Sequence, residues 1–101
     1  MSKSYEMRVK IVEIGDIQEI GDKGFKKREV IGMIEGEWPE YYCFEFVQSK
    51  VDVPDSFIEG TYANVFFNIK GKKVDGKKKT DPPRYFSTLS AWKMEAGAGS
   101  D

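Results

Sequence analysis

Apolar and polar residues alternate along several stretches of this 101-residue chain. The period of two is that of β-strands with one face in a core and the other in water. Over residues 5–12, Tyr5, Met7, Val9 and Ile11 share one face and Glu6, Arg8 and Lys10 the other. Ile14, Ile17 and Ile20 carry the apolar signal past Gly15, which predicts a bend or bulge within one long first strand. Gly21, Asp22, Lys23 and Gly24 form a turn signal. Residues 25–34 read as a second strand, rich in β-formers from Val30 onward. Gly36 and Pro39 interrupt pairing over 35–40, and residues 41–47 carry the strongest strand signal of the chain. There Tyr42, Phe44 and Phe46 are expected to point inward, with Tyr41, Cys43, Glu45 and Val47 outward.

Residues 48–60 lose the alternation. Ser49 is placed to cap a short helix and Pro54 keeps that helix short. A short helix or irregular crossover is therefore predicted, with Val51, Val53, Phe57 and Ile58 plugging the core and Gly60 ending it. A fourth strand follows over 62–69, with Phe66 in the core, then a long loop over 71–84 and a last strand over 85–94. Asp75-Gly76 is the expected turn of that loop and Pro82-Pro83 its stiff return. Of Tyr85 and Phe86, one should face the core and the other solvent; Trp92 reads as structural and Cys43 as a partly buried small side chain.

Three strands, a crossover, a strand, a loop and a strand is the order of an all-β, five-stranded OB-fold barrel. Its short helical crossover lies between strands 3 and 4, and here the connection between strands 4 and 5 is a long basic loop. An SH3-like barrel has no crossover at this place, and a seven-stranded sandwich does not fit the length. The expected organisation is a single domain over residues 1–95 with a disordered tail over 96–101.

Composition then removes most chemistry. The chain has no His and one Cys, so a Ser-His-Asp or Cys-His nucleophile, a His-ligated metal, a zinc ribbon and an intrachain disulfide are all excluded. No cofactor or metal is called for, and an enzyme is the least expected class. The longest apolar run is four residues, 41–44, too short for a membrane helix, and residues 1–6 lack the apolar stretch of a signal peptide. The expectation is a cytoplasmic binding module, in a bacterium or a phage-infected host.

Charge changes the picture once it is read by position. The net charge is −1, yet seven bases and two acids fall between Lys70 and Arg84, about +5, which leaves about −6 for the rest of the chain. A second cluster gathers Lys23, Lys26, Lys27 and Arg28 around Phe25. OB-folds bind oligonucleotides across strands 2 and 3, flanked by the 1–2 and 4–5 loops, and both clusters fall on those loops or their edges. Cations track phosphates and aromatics stack bases, and the two types are interleaved here. The candidate phosphate contacts are Lys23, Lys26, Lys27, Arg28, Lys70, Lys72, Lys73, Lys77, Lys78, Lys79 and Arg84. The candidate stacking residues are Phe25, which could equally be core; Trp38, which either stacks or plugs a barrel end; Tyr41, on the outward side of strand 3; and Tyr85. Glu29 and Glu45 lie on or near the same face and would repel phosphates. The alternative is that the lysine run is a solvated hairpin tip.

The segments Phe25-Lys26-Lys27-Arg28-Glu29-Val30, residues 43–52 beginning Cys43-Phe44-Glu45-Phe46, and residues 89–95 beginning Leu89-Ser90-Ala91-Trp92 resemble a small family of uncharacterised bacterial and phage OB-fold proteins. That family is regarded as similar to single-stranded DNA-binding proteins. The resemblance implies a non-catalytic protein that binds single-stranded DNA with little sequence preference, in replication, recombination or repair. An OB-fold protein-interaction module (a phage or replisome accessory factor) and an RNA-binding protein are the alternatives. The small size favours a homodimer or higher homo-oligomer, and no membrane partner is expected.

Overall fold

A computed structural model of the chain describes residues 4–77 and 80–97. Six strands form one sheet that closes on itself: β1 (Tyr5–Ile14), β2 (Gln18–Ile20), β3 (Phe25–Ile34), β4 (Glu40–Val47), β5 (Tyr62–Val74) and β6 (Arg84–Ala96). The order β1-β5-β6-β4-β3-β2 is closed by antiparallel pairing of β1 with β3. The seam between β4 and β6 is parallel and short, Phe44 opposite Leu89 and Glu45 opposite Ser90. Set aside the three-residue β2, which extends β1 as a flap on β3, and five strands make the closed barrel of an OB-fold.

The second strand has the bounds its sequence predicts, residues 25–34. Gly21 and Gly24, at φ 77° and 69°, supply the left-handed positions of the turn before it. The first strand divides in two. Its register against β3 shifts between Ile11 and Glu13, so Val12 is bulged outward, and the chain breaks at Gly15 before β2 resumes. The Gly15 N–H still donates to the Glu29 carbonyl at 2.8 Å, which keeps the break tied to the barrel.

The core is built from the alternating set: Val9, Ile11, Val30, Phe44, Phe46, Val65, Phe67 and their small partners Ala63 and Ala91 are all buried. Phe66 is not among them. Two adjacent strand residues cannot both face inward, and Phe67 shares its side with Ala63 and Val65. Its ring meets that of Phe44 at 5.3 Å. Phe66 lies outside, under Trp92 at 5.7 Å and Lys93 at 5.1 Å. The register shift opposite Phe66 makes this possible, because Lys93 pairs with Phe66 while Ala91 pairs with Phe67, and Trp92 is the extra residue.

The crossover is a succession of 3-10 turns, Gln48–Ser56. It starts one residue before Ser49, with no side-chain cap, and Gln48 takes a left-handed φ of 53° at the corner. Val51 and Pro54 are buried under it and Val53 and Phe57 pack on the core, but Ile58 is 70% exposed and plugs nothing. The chain turns there to bring the Gly60 N–H to the Ile11 carbonyl at 2.7 Å.

The largest departure is at the predicted long loop. β5 runs on to Val74 and β6 begins at Arg84, and the two stay paired from Lys70 opposite Thr88 to Val74 opposite Arg84. The basic segment is thus a two-stranded arm beyond the barrel, with only residues 75–83 as its tip. Tyr85 and Phe86 are both exposed, at 72% and 50%, because nothing covers either face of the arm. At the other end of the sequence, Ala96 closes β6 and the Gly97 N–H donates to the Tyr62 carbonyl at 3.0 Å; the rest of the expected tail lies outside the described residues.

Gly32 marks the tightest point of the barrel. A Cβ there would stand 2.6 Å from a Val9 methyl and 3.1 Å from the Phe44 ring. Gly32→Ala is expected to cost about 1–3 kcal/mol in a urea melt by overpacking. Gly36→Ala, where a Cβ meets nothing within 4 Å, serves as the neutral control, within about 0.5 kcal/mol.

Candidate nucleic-acid interface

Alternation along β3 puts Phe25, Lys27, Glu29, Ile31 and Met33 on the outer face, and along β4 it puts Tyr41, Cys43, Glu45 and Val47 there. Register joins them in rows: Lys27 with Val47, Glu29 with Glu45, Ile31 with Cys43 and Met33 with Tyr41. This is the strand 2–3 face of the OB-fold. β6 runs parallel to β4, so the arm leaves the barrel at the end where β4 begins, the end that carries Trp38 and Tyr41. Lys23, Phe25 and Lys26 lie at the opposite end of β3, roughly 25–30 Å away at strand rise. The predicted site therefore has two poles joined by a mixed floor.

At the arm pole, Trp38 is 83% exposed and so plugs no barrel end. Tyr41, 62% exposed, stands outward as expected. Lys70, Lys72, Lys77 and Arg84 are exposed and make no salt bridge among the described residues; Lys73 pairs with Asp75 at 3.7 Å. Lys78 and Lys79 lie outside the described residues. Phe86, opposite Lys72, joins this pole, a residue that sequence reasoning left undecided against Tyr85. At the far pole Phe25 is on the outer face, opposite Ile20, and Lys26 sits opposite Glu19 with its side chain in water.

Two of the predicted phosphate contacts are otherwise engaged. Arg28 follows Lys27 and so points to the other side of β3, where its guanidinium ties three segments together. Nε donates to the Gly15 carbonyl at 2.8 Å, and Nη1 donates to the Val51 carbonyl at 3.0 Å and to Asp55 at 2.6 Å. With its side chain only 14% exposed, Arg28 is a fastening for the crossover and not a surface cation. Lys27 lies between the two carboxylates of the floor, 3.2 Å from Glu45 and 3.7 Å from Glu29. Its hydrogen bond to Glu45, helped by both carboxylate charges, holds its pKa above the ordinary lysine value. Lys27 thus neutralises much of the repulsion that Glu29 and Glu45 would exert on a passing strand. A cleft of about 410 Å³ beside Glu29 is lined by Glu13 and Asp16 as well, and so is unfavourable to phosphate.

Cys43 is exposed in the same row as Ile31. Packing of its sulfur among the floor side chains, and then the Glu29 carboxylate beside it, push the thiol up to about 11. It is a protonated, unreactive thiol at neutral pH. The acids near Trp38 are tied back as well: the Tyr42 hydroxyl donates to Glu40 and the Tyr62 hydroxyl to Glu35, which raises both phenol pKa values.

Residues 6–95 match the sequence model of a family described as Domain of unknown function (DUF3127). The chain belongs to that family. No curated protein matches the sequence significantly. Solved structures similar to this DUF3127 fold include the mitochondrial single-stranded DNA-binding protein Rim1 of S. cerevisiae in two crystal forms. One superposes with a TM-score of 0.69 at 7% identity, covering 99% of this chain and 100% of that one. The other gives 0.67 at 6% identity, with 99% of each chain covered. The SSB domain of a Synechococcus sp. protein gives 0.65 at 10% identity over 93% of each chain. At these identities the likeness establishes the OB-fold.

Two outcomes check the geometry. Arg28→Ala should lower stability by about 1.5–3 kcal/mol, the usual worth of hydrogen bonds to a charged group, in a urea melt, whereas Lys26→Ala should leave it within about 0.5 kcal/mol. The rate of iodoacetamide alkylation of Cys43 should rise with pH through a midpoint near 11 in the folded protein. In urea that midpoint should fall to about 8.5, the ordinary thiol value.

Proposed function

We propose that this chain is a non-catalytic, largely sequence-independent single-stranded DNA-binding protein, acting in the cytoplasm in replication, recombination or repair. One observation carries the reading: the β5–β6 arm presents Lys70, Lys72 and Arg84, exposed and without a salt bridge among the described residues, interleaved with exposed aromatics, on the end of the barrel that also holds Trp38 and Tyr41. Lys70, Lys72 and Arg84 would neutralise phosphates and release counterions. Tyr41, Phe86 and Trp38 would give bases a π-face on the outer side, and Tyr85 one on the other side of the arm, each stacked base worth about 1–3 kcal/mol. The floor supplies the apolar Met33 and Ile31 and the neutralised Glu29–Lys27–Glu45 row, over which bases can lie while phosphates follow the cationic arm. Lys23, Lys26 and Phe25 extend the path at the far pole. The likeness in fold to proteins named for single-stranded DNA binding supports the same reading.

A protein-interaction module is the second reading, favoured by one feature. Glu35, Glu37 and Glu40 lie within three residues of the exposed Trp38 in the chain, and even with Glu35 and Glu40 hydrogen-bonded to tyrosines such an acidic segment suits a basic partner better than a phosphate chain.

Titrating oligo-dT against the intrinsic Trp fluorescence at two salt concentrations tests the first reading. Quenching is expected, with an affinity that falls steeply with salt; absence of binding at low salt sinks it and leaves the protein-interaction reading. Lys70→Ala, Lys72→Ala and Arg84→Ala together should lower the slope of log K against log salt by about 2, at about 0.7 per phosphate released from a single strand. Trp38→Phe should remove the quenching if Trp38 stacks, since Trp92 is half-buried against Phe66. Matched rU and dT oligomers in competition decide between RNA and DNA.

A further inference from the structure

The arm carries the same pair of residue types on each of its two sides. Direct cross-strand partners share a face, with Cβ atoms about 4.5–5.5 Å apart. Lys73 is the partner of Tyr85 and Lys72 is the partner of Phe86. Successive residues alternate between faces, so Lys73 and Tyr85 lie on one side and Lys72 and Phe86 on the other, back to back. Both aromatics are exposed, and so are both lysines; the contact of Lys73 with Asp75 at 3.7 Å is a solvent-exposed pair, which a phosphate can displace at little cost. The neighbours differ. Phe86 and Lys72 are accompanied by Lys70 and Arg84 on the side continuous with the outside of the barrel. Tyr85 and Lys73 are accompanied by Ile69, Gly71 and Ser87 on the side continuous with its interior, which lies open here because the barrel has ended.

A strand laid along the barrel face can meet only one of these sides. An aromatic that stacks a base beside a lysine that neutralises its phosphate is a complete contact for one nucleotide, and the arm holds two such units facing opposite ways. We propose that the β5–β6 arm binds two separate segments of single-stranded DNA at once, one stacked on Phe86 beside Lys72 and the other on Tyr85 beside Lys73, and so bridges strands. This inference rests on the single-stranded DNA-binding reading and adds to it a second activity, the juxtaposition of two strands by one protomer.

Two non-complementary dT oligomers, one carrying a donor dye and the other an acceptor, test it on the full chain. Energy transfer between them should appear on adding wild-type protein and vanish in excess oligomer, where each unit takes a separate molecule. Both aromatics are exposed, so Tyr85→Ala and Phe86→Ala leave the core intact, which circular dichroism verifies. Each variant should still bind a single labelled oligomer by anisotropy, weakened by roughly 5- to 150-fold, the loss of one stacked base. At concentrations that saturate that binding, neither should give energy transfer. Anisotropy binding without energy transfer in the wild type overturns bridging and leaves the DNA-binding reading standing. Energy transfer that persists in both single variants also overturns it, because the bridge then lies elsewhere, for example between two copies of the chain. Absence of wild-type anisotropy binding overturns the DNA-binding reading and bridging with it.

Discussion

Pairing between β5 and β6 is the constraint on which the rest of the molecule depends. It begins inside the barrel, where Ala63 meets Ala96, and continues unbroken except for one bulge to Val74 opposite Arg84. The first half buries Val65, Phe67, Ala91 and Met94 and closes the core. The second half has water on both faces and would not persist as a separate hairpin, since isolated two-stranded hairpins are marginal. It stands because its register is set by the buried half. The bulge at Trp92 increases the local twist and brings Trp92 as well as Lys93 against Phe66, which strand parity already turns outward. The candidate binding surface is thereby held on backbone hydrogen bonds anchored in the apolar interior.

Neighbouring cations in the second basic cluster have different fates, and strand geometry decides them. Lys27 and Arg28 are adjacent, so one must face out and the other in. Lys27 goes outward to Glu29 and Glu45; Arg28 goes toward the Gly15 break and the 3-10 crossover. Neither serves as a free phosphate contact, although both count in a census of charge. The arm differs because it has no interior: alternation there leaves cations on both sides accessible. Accessible charge, rather than total charge, moves the weight of the site from the β2–β3 turn to the arm.

Much of the fold was legible in the residues. The barrel class, the place of the crossover, the bounds of β3 and the inward set Tyr42, Phe44 and Phe46 follow from period-two alternation bounded by Gly and Pro. The error at the arm arises because alternation reports burial and not pairing. Lys70, Gly71, Lys72 and Lys73 show no apolar face because none of their faces is buried, so a strand reads as a loop. The choice between Phe66 and Phe67 was available from the parity of Ala63 and Val65, and the turning-in of Arg28 from its parity with Val30. The bulge at Trp92 left no such signal, since it is set by how the closing strand meets its neighbours across the barrel. At the candidate site, the outward placement of Tyr41 and the exposure of Lys70, Lys72 and Lys77 were legible; the engagement of Lys27 and Arg28 was not, because their partners at Glu45, Val51 and Asp55 are distant in sequence.

The acidic floor has a physical role in this arrangement beyond tolerating a ligand. Glu29 and Glu45 share one lysine, so the row keeps about one net negative charge in the middle of the face. A uniformly basic groove would hold a phosphate chain along its whole length. On the proposed single-stranded DNA-binding reading, a residual negative charge at the centre would leave the phosphates to the arm and the β2–β3 turn and keep the backbone between them off the floor. The bases would then face the floor, where Ile31, Cys43, Met33 and Tyr41 offer mainly apolar and aromatic contact, and the Lys27 ammonium is engaged by Glu29 and Glu45. A floor of that kind would favour stacking over readout, which is what the proposed sequence-independent binding requires.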